Sequence, residues 1–478
     1  MKSRLLQRPK EASASFDKPL PIKPDEKNEA WYNRGVVLMN LGRFEEAIAN
    51  FEKALEIQPD AYDAWYNRGI ALANLGSIQE AITNWDNALK IKLDFHEAWY
   101  NQGVALGNLG LHDEAITSYE KALEIKLDKH EAWNNQGIAL NHLGYYEKAI
   151  TSFEKALEIQ ANYYEAWNNR GISLAYLARF EDAITSFDKA LDIKPDFYLA
   201  WYNRGVALFN WERFKDALTS FDKALEIKPD DDEAWYNRGN TLRNLGRQDE
   251  AIASYDKALE IQPDFHQAWY NRGNALRDLG HYNQVLDSYN QALKFKPDYY
   301  EAWINRGVVL CNLRRLEEAI ASYDKALEIQ PDLHVAMYNK ACCYALQGNV
   351  DQAIENLKQA INLSLDKHRE MAKTDSDFDS IREDERFQTL IQEKSDWEEG
   401  EIDESEWLRA AATNLAFEFL NSPEEDIYTL DDGKPFNDEE DKPTQAQILA
   451  DIRRDRSFNP AEFGLPDSLT LLREDRDR

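Results

Sequence analysis

Three cysteines in 478 residues are too few for a disulfide framework, and Cys311, Cys342 and Cys343 show no metal-ligand spacing. Neighbouring Cys342 and Cys343 point to different sides of a helix, so all three read as small, reduced core or groove residues. No run approaches ~18 apolar residues, and Lys2 and Arg4 have no apolar stretch behind them. The expectation is a cytoplasmic protein without membrane insertion. Positive charge is also in deficit: 56 Lys and Arg stand against 87 Asp and Glu, net −31. Phosphate backbones and anionic lipid repel such a chain, which argues against nucleic acid and membrane surfaces as partners. No nucleophile elbow, phosphate loop, zinc motif or pair of catalytic carboxylates is present, so neither an enzyme nor a cofactor is expected. His96, His130, His266 and His334 share one position in the chain, a loop before a helix, which speaks for helix entry rather than metal.

What is present is repetition. Ala30-Trp31-Tyr32-Asn33-Arg34-Gly35 returns thirty-four residues later as Ala64 to Gly69, and the tryptophans recur at 65, 99, 133, 167, 201, 235, 269 and 303, with Met337 in the tenth place. A length that suggests roughly three domains of about 150 residues is overruled, because an array grows by adding units. In the first unit Trp31, Gly35 and Leu38 share one helical face, and Leu41-Gly42 ends that helix with a residue able to take φ > 0. A second helix carries Phe44, Ala47, Ile48, Phe51, Ala54, Leu55 and Ile57 on one stripe. Pro59-Asp60 stops it, and the Asp can cap the next first helix. Each unit is therefore a helical hairpin that buries its apolar stripe only by stacking on its neighbours.

Trp, Gly, Ala, aromatic, Ala and Pro at these offsets resemble the tetratricopeptide repeat over about 340 of the 478 residues; the spelling is similar to long cyanobacterial arrays. The resemblance implies an all-α, right-handed superhelix, an α-solenoid, whose first helices line a concave groove that holds a peptide or protein partner. The expected organisation is a flexible lead-in (1–27), ten repeats (28–367), a capping segment (368–394) and an acidic tail with short helices (395–478). Departures from the pattern are local. Proline is missing at Leu93, Leu127, Ala161 and Leu365, where the second helix is expected to run on or bend. Trp211-Glu212 replaces Leu-Gly, and Arg314 takes the turn glycine of repeat nine. Val285 in place of alanine is expected to push two helices apart. Met337 and Ala341 mark a terminal repeat. Within the capping segment Phe378, Ile381, Phe387, Leu390 and Ile391 would cover the last apolar face.

An asparagine follows each repeat's Trp or Met by two: Asn33, Asn67, Asn101, Asn135, Asn169, Asn203, Asn237, Asn271, Asn305 and Asn339. A carboxamide offers one acceptor and two donors, matching a peptide unit in either order, so a row of them can hold an extended chain by its backbone. Similar asparagine ladders serve that role in the family. Each bond nets about 0.5–1.5 kcal/mol while ordering each peptide residue costs about 1–2 kcal/mol. The ladder therefore roughly breaks even, and anchors such as Tyr202, Tyr236 and Tyr270 are needed to reach the expected micromolar affinity, about −8 kcal/mol. Repeats seven and eight differ in being polar throughout the groove face: Asn237, Asn240 and Arg243, then Asn271, Asn274 and Arg277. This patch suits carboxylates, hence an acidic peptide. The Asn240/Asn271 pair is similar to carboxylate-clamp repeats, but Tyr236 and Glu301 stand where the clamp has lysines. The arginine after most ladder asparagines is expected to cover apolar surface with its stem and to meet acids of adjacent repeats. A second function reading concerns the tail: its acidic stretch Glu424–Asp441 could dock on Arg243 and Arg277, and its end is similar to the partner-neutralising tails of small bacterial antitoxins.

Overall fold

A computed structural model describes residues 24–364 and 367–392 of the chain. The readings placed on the acidic tail, and on Leu365, lie outside those residues. Every repeat is an antiparallel pair of helices, a first one such as Tyr62–Asn74 and a second such as Ile78–Ile91. The first helix of the chain spans Pro24–Asn40 and so begins inside the stretch expected to be a loose lead-in; proline, lacking an N–H, is well suited to a first helical position. The hairpins fall into two compact units, one ending at Phe197 and one beginning at Tyr198. Each is an all-α solenoid in which a second helix packs on the first helix of the following repeat, and neighbouring first helices also touch. Five repeats make up the first unit. The second holds five more and three short closing elements, Lys367–Thr374, a 3-10 turn Ser376–Ile381 and Glu385–Gln392.

The two helices of a hairpin lie close because glycine faces an aromatic ring. A Cβ on Gly35 would sit 2.6 Å from Cε1 of Phe51, and one on Gly239 2.6 Å from Cε1 of Tyr255. The rings fill the space a side chain would need, and Phe51 and Tyr255 are fully buried. Repeat eight keeps this approach, with Gly273 and Tyr289 at 2.5 Å, so Val285 does not wedge its helices apart as the sequence led us to expect. Its extra carbons are buried in the neighbouring core with Leu286, Val309 and Leu310.

Two backbone bonds close each tight turn. Gly42 N–H reaches Met39 O and Arg43 N–H reaches Leu38 O, both at 2.9 Å, the pattern that satisfies the last carbonyls of a helix when the next residue is left-handed. Gly42 has φ 73°, while Ala178, Glu212 and Arg314 take φ 54°, 58° and 59° at the equivalent positions. Their backbone bonds are the same. The turn overrides a penalty of about 1–2 kcal/mol for an L-residue in this region.

The missing prolines change nothing at the three described positions. Second helices end at Ile91, Ile125 and Ile159 before Leu93, Leu127 and Ala161, in step with Ile57 before Pro59. The indole N–H supplies the reason. Trp65, Trp99, Trp133 and Trp167 donate to the carbonyls of Pro59, Leu93, Leu127 and Ala161, each at 2.9 Å. A carbonyl clasped in this way fixes the loop whatever side chain it carries. Met337 has no N–H to give, yet the helix before it still ends at Ile329, ahead of Pro331. In repeat ten, where Met371 holds the place of a following tryptophan and Leu365 that of the proline, the second helix runs to Ser364, 15 residues instead of 14.

The closing elements bury Phe378, Ile381, Phe387, Leu390 and Ile391 in one cluster with Tyr338, Cys342, Leu357 and Ile361. Asp375 joins the turn to the last repeat: one carboxylate oxygen accepts from Asp377 N–H at 3.0 Å and the other from the Tyr338 hydroxyl at 2.7 Å.

Candidate functional site: the first-helix face

Trp and Gly point each first helix into its hairpin, which leaves the asparagine two residues after the Trp on another face, partly exposed. Its amide N–H₂ is already engaged. Asn67 donates to the hydroxyl of Tyr32 in the preceding repeat at 3.0 Å, and Asn101 to Tyr66 at 3.0 Å. Asn135 reaches Tyr100 at 3.2 Å, Asn237 reaches Tyr202 at 3.0 Å, Asn271 reaches Tyr236 at 2.9 Å and Asn305 reaches Tyr270 at 2.8 Å. Where the tyrosine is replaced by Asn134, its Oδ1 accepts from Asn169 at 3.1 Å instead. A ladder free on both its donor and acceptor sides is therefore not what forms. The donor side stitches repeats together, and some acceptors are engaged as well: Asn135 and Asn169 Oδ1 accept from Asn134 and Asn168 at 3.2 and 3.3 Å. Asn33 stands exposed at the first repeat, Asn203 sits partly exposed on Tyr198–Asn210, and Asn339 is partly exposed too. The residue thirty-five before Asn339, where the tyrosine stands elsewhere, is Ile304, which has no hydroxyl.

Sequence reasoning missed this pairing because it joins residues thirty-five apart, one repeat plus one. The signal was there in the alternation of Tyr with Asn134 and Asn168, both able to accept. The phenols stay protonated donors. Burial, with Glu97 adding to it against the Asn101 bond, pushes the Tyr66 hydroxyl up to about 12. Burial likewise raises Tyr236 and Tyr270, opposed by their bonds to Asn240 and Asn274 and by Arg243 and Arg277. Tyr202 also donates to Glu233 at 3.2 Å.

Repeats seven to nine carry a branched network. Asn240 Oδ1 accepts from Tyr255 at 2.8 Å and from Asn271 at 3.0 Å. Asn274 Oδ1 accepts from Tyr289 at 2.7 Å and from Asn305 at 3.4 Å. Arg243 and the amide of Asn274 both approach Asn271 Oδ1 at 3.4 Å. Arg277 has Asp278 at 3.7 Å.

The arginines next to the ladder are structural. Arg238 bonds Asp222 of the preceding repeat at 2.7 Å and Ser254 of its own second helix at 2.6 Å; Arg272 does the same with Asp256 and Ser288 at 2.6 and 2.7 Å. Each also lies over the ring of its own tryptophan, 5.5 Å for Arg238 and 5.7 Å for Arg272. The serine and acid are two helix partners that the sequence alone pairs only once the hairpin is closed.

One mixed cluster among the described residues brings metal-ligating atoms together: Cys342, Asp375 and Asp377 lie within 4.8 Å of one another. Asp375 is occupied by the turn and by Tyr338, and burial beside Asp375 and Asp377 drives the Cys342 thiol well above its usual range, keeping it protonated.

Family models described as tetratricopeptide repeat match residues 29–61, 96–128, 198–231, 232–265 and 266–299, then 128–196 and 298–366, and 50–83. No curated protein matches the chain. Among solved structures, YrrB, described as a tetratricopeptide repeat protein with an unusual peptide-binding site, is 26% identical over 39% of this chain and 97% of its own, with a TM-score of 0.36. MamA is 22% identical over 36% of this chain and 93% of its own, TM-score 0.34. Yeast Tom70 is 16% identical over 78% of this chain and all of its own (100%), TM-score 0.35.

Proposed function

Because the chain belongs to the tetratricopeptide repeat family, a family of protein-interaction modules, we propose that it is a non-catalytic scaffold whose first-helix face holds an extended segment of a partner protein. The observation that carries this reading is the Tyr–Asn stitch, repeated at 2.8–3.2 Å from Asn67 to Asn305. It fixes each carboxamide before any ligand arrives, so the rotamer entropy of the asparagine is already lost and less of each new bond is cancelled. A bound chain then donates its N–H groups to Asn Oδ1 and accepts at C=O from the neighbouring Tyr O–H. The contact repeats along the row without regard to the bound sequence, and Arg243 with Arg277 favours a segment that is acidic where it passes them.

The test uses the full chain as bait, with the bound partner segment mapped by cross-linking and then titrated as a peptide. Replacing Asn237, Asn271 and Asn305 together by Ala should weaken binding at least about tenfold, one or two lost bonds, with helicity by circular dichroism unchanged. Undiminished affinity in that variant would remove the ladder from the mechanism.

A further inference from the structure

We infer that Arg243 and Arg277 form a pocket for a phosphate monoester dianion, such as the side chain of a phosphorylated serine or threonine in the held segment; this rests on the peptide-holding reading of the same face. The first observation is that these two guanidiniums are loosely held where several others in the second unit are not. Arg238 and Arg272 each have two partners at 2.6–2.7 Å, and Arg247 and Arg315 grip Glu250 and Glu318 at 2.6–2.7 Å. Arg243 has a neutral oxygen at 3.4 Å. Arg277 has the carboxylate of the next residue at 3.7 Å, and adjacent residues diverge around a helix. A guanidinium presents five N–H groups, so most of this pair's donors are unspent.

The second observation is convergence. Arg243 and the Asn274 amide both reach Asn271 Oδ1 at 3.4 Å, and Arg277 follows Asn274 by three residues, on the same face of His266–Asp278. Asn274, buried to 7% exposure, is anchored to Tyr289 at 2.7 Å and Asn305 at 3.4 Å. The pocket is bounded, because the same helical positions carry Val206 and Phe209 in repeat six and Val308 and Cys311 in repeat nine.

Charge decides the ligand. With net −31 the protein repels anions at long range, so binding relies on local pairing. A carboxylate has two oxygens and one charge, matched by a single guanidinium fork. A phosphate monoester has three oxygens and about −1.5 to −2 charges at pH 7, which two forks and a carboxamide can share.

The experiment titrates the full chain at fixed ionic strength with inorganic phosphate, then with N-acetyl-phosphoserine amide and N-acetyl-glutamate amide, by calorimetry. Saturable binding of phosphate and of the phosphoserine amide is expected. Both should be weakened about tenfold or more by R243Q and by R277Q, one charge-assisted contact each, and left unchanged by R179Q, which removes an exposed arginine of the first unit paired with Asp182. Absent binding, binding indifferent to both arginines, or glutamate amide binding as tightly as the ester overturns the inference. Inorganic phosphate binding without the ester overturns the side-chain source. None of these results depends on peptide capture, so the ladder reading stands or falls separately.

Discussion

Repeat seven and repeat ten build the same hairpin from different parts. In repeat seven the bare backbone of Gly239 lies under the Tyr255 ring. In repeat ten Ala341 and Leu357 occupy those two places, both fully buried. Glycine has gained a carbon where the aromatic has shrunk to leucine. Trp235 clasps the carbonyl of Pro229 at 2.9 Å, while Met337 has no N–H to give and the helix before it ends at Ile329, ahead of Pro331, all the same. Tyr236 accepts from Asn271 of the next repeat at 2.9 Å, whereas Tyr338, with no repeat after it, donates to Asp375 at 2.7 Å. Arg238 and Asp222 become Lys340 and Asp324 at 2.6 Å. Positions in this array change as pairs, and the partner of a residue is a better guide to its role than its own identity.

The sharpest way to break that comparison is to change one member of a pair alone. Gly239→Ala should destabilise the second unit by about 3 kcal/mol, the upper range for overpacking, because its Cβ would lie 2.6 Å from a ring that is fully buried. Ala341→Gly has no ring to release and should cost about 1 kcal/mol, the helix-propensity difference. Chemical-denaturation midpoints of the two variants measure this, and equal shifts would show that the glycine–aromatic pair is incidental.

A middle-sized effect belongs to repeat ten alone. His368 is buried against His334, Nε2 to Nδ1 at 2.9 Å, and stacks on Tyr338 at 4.6 Å. Burial, with His334 and Lys367 adding to it, lowers its pKa to about 4 from 6.5. The unfolded chain takes up this proton near pH 6.5 and the folded chain only near 4, so its contribution is intact above 6.5 and is lost as pH falls toward 4. The loss should approach about 3 kcal/mol by pH 4. Denaturation midpoints between pH 7 and 4.5 should fall less in His368→Phe than in the native chain, and parallel slopes would assign the acid sensitivity elsewhere.

Much of this was legible in the sequence, for a physical reason. Hairpins are local, so helix periodicity, the turn glycines and the small-against-large stripe read out directly, down to the closing residues Phe378 and Phe387. What escaped involved contacts between repeats or bonds to the backbone. Leu93, Leu127 and Ala161 looked like altered helix ends because proline was taken as the stop, when an indole N–H bonding a carbonyl does that work regardless of side chain. Ala178 gave no warning of its left-handed backbone, since two turn hydrogen bonds impose it. The asparagine row was visible, but its direction was not: only stacking brings Asn271 to Tyr236 and turns a presumed free donor into a stitch.

The smallest predicted effect tests that stitch at its one natural gap. Ile304 stands where repeat nine would otherwise supply a tyrosine, partly buried beside Val308 and Tyr300, and Asn339 holds the matching ladder place of repeat ten. Ile304→Tyr should give Asn339 the acceptor that Tyr270 gives Asn305 at 2.8 Å. One neutral hydrogen bond nets about 0.5–1.5 kcal/mol, reduced by the exchange of a buried aliphatic chain for a ring, so the change alone is ambiguous. The double-mutant cycle with Asn339→Ala is not, because it subtracts the ring from the bond. A coupling of about 0.5 kcal/mol or more would show that the hydroxyl recruits the asparagine. Zero coupling would mean that the Tyr–Asn contacts follow from repeat stacking and do not help to hold it, and the pre-organised carboxamides on which peptide capture relies would lose their physical basis.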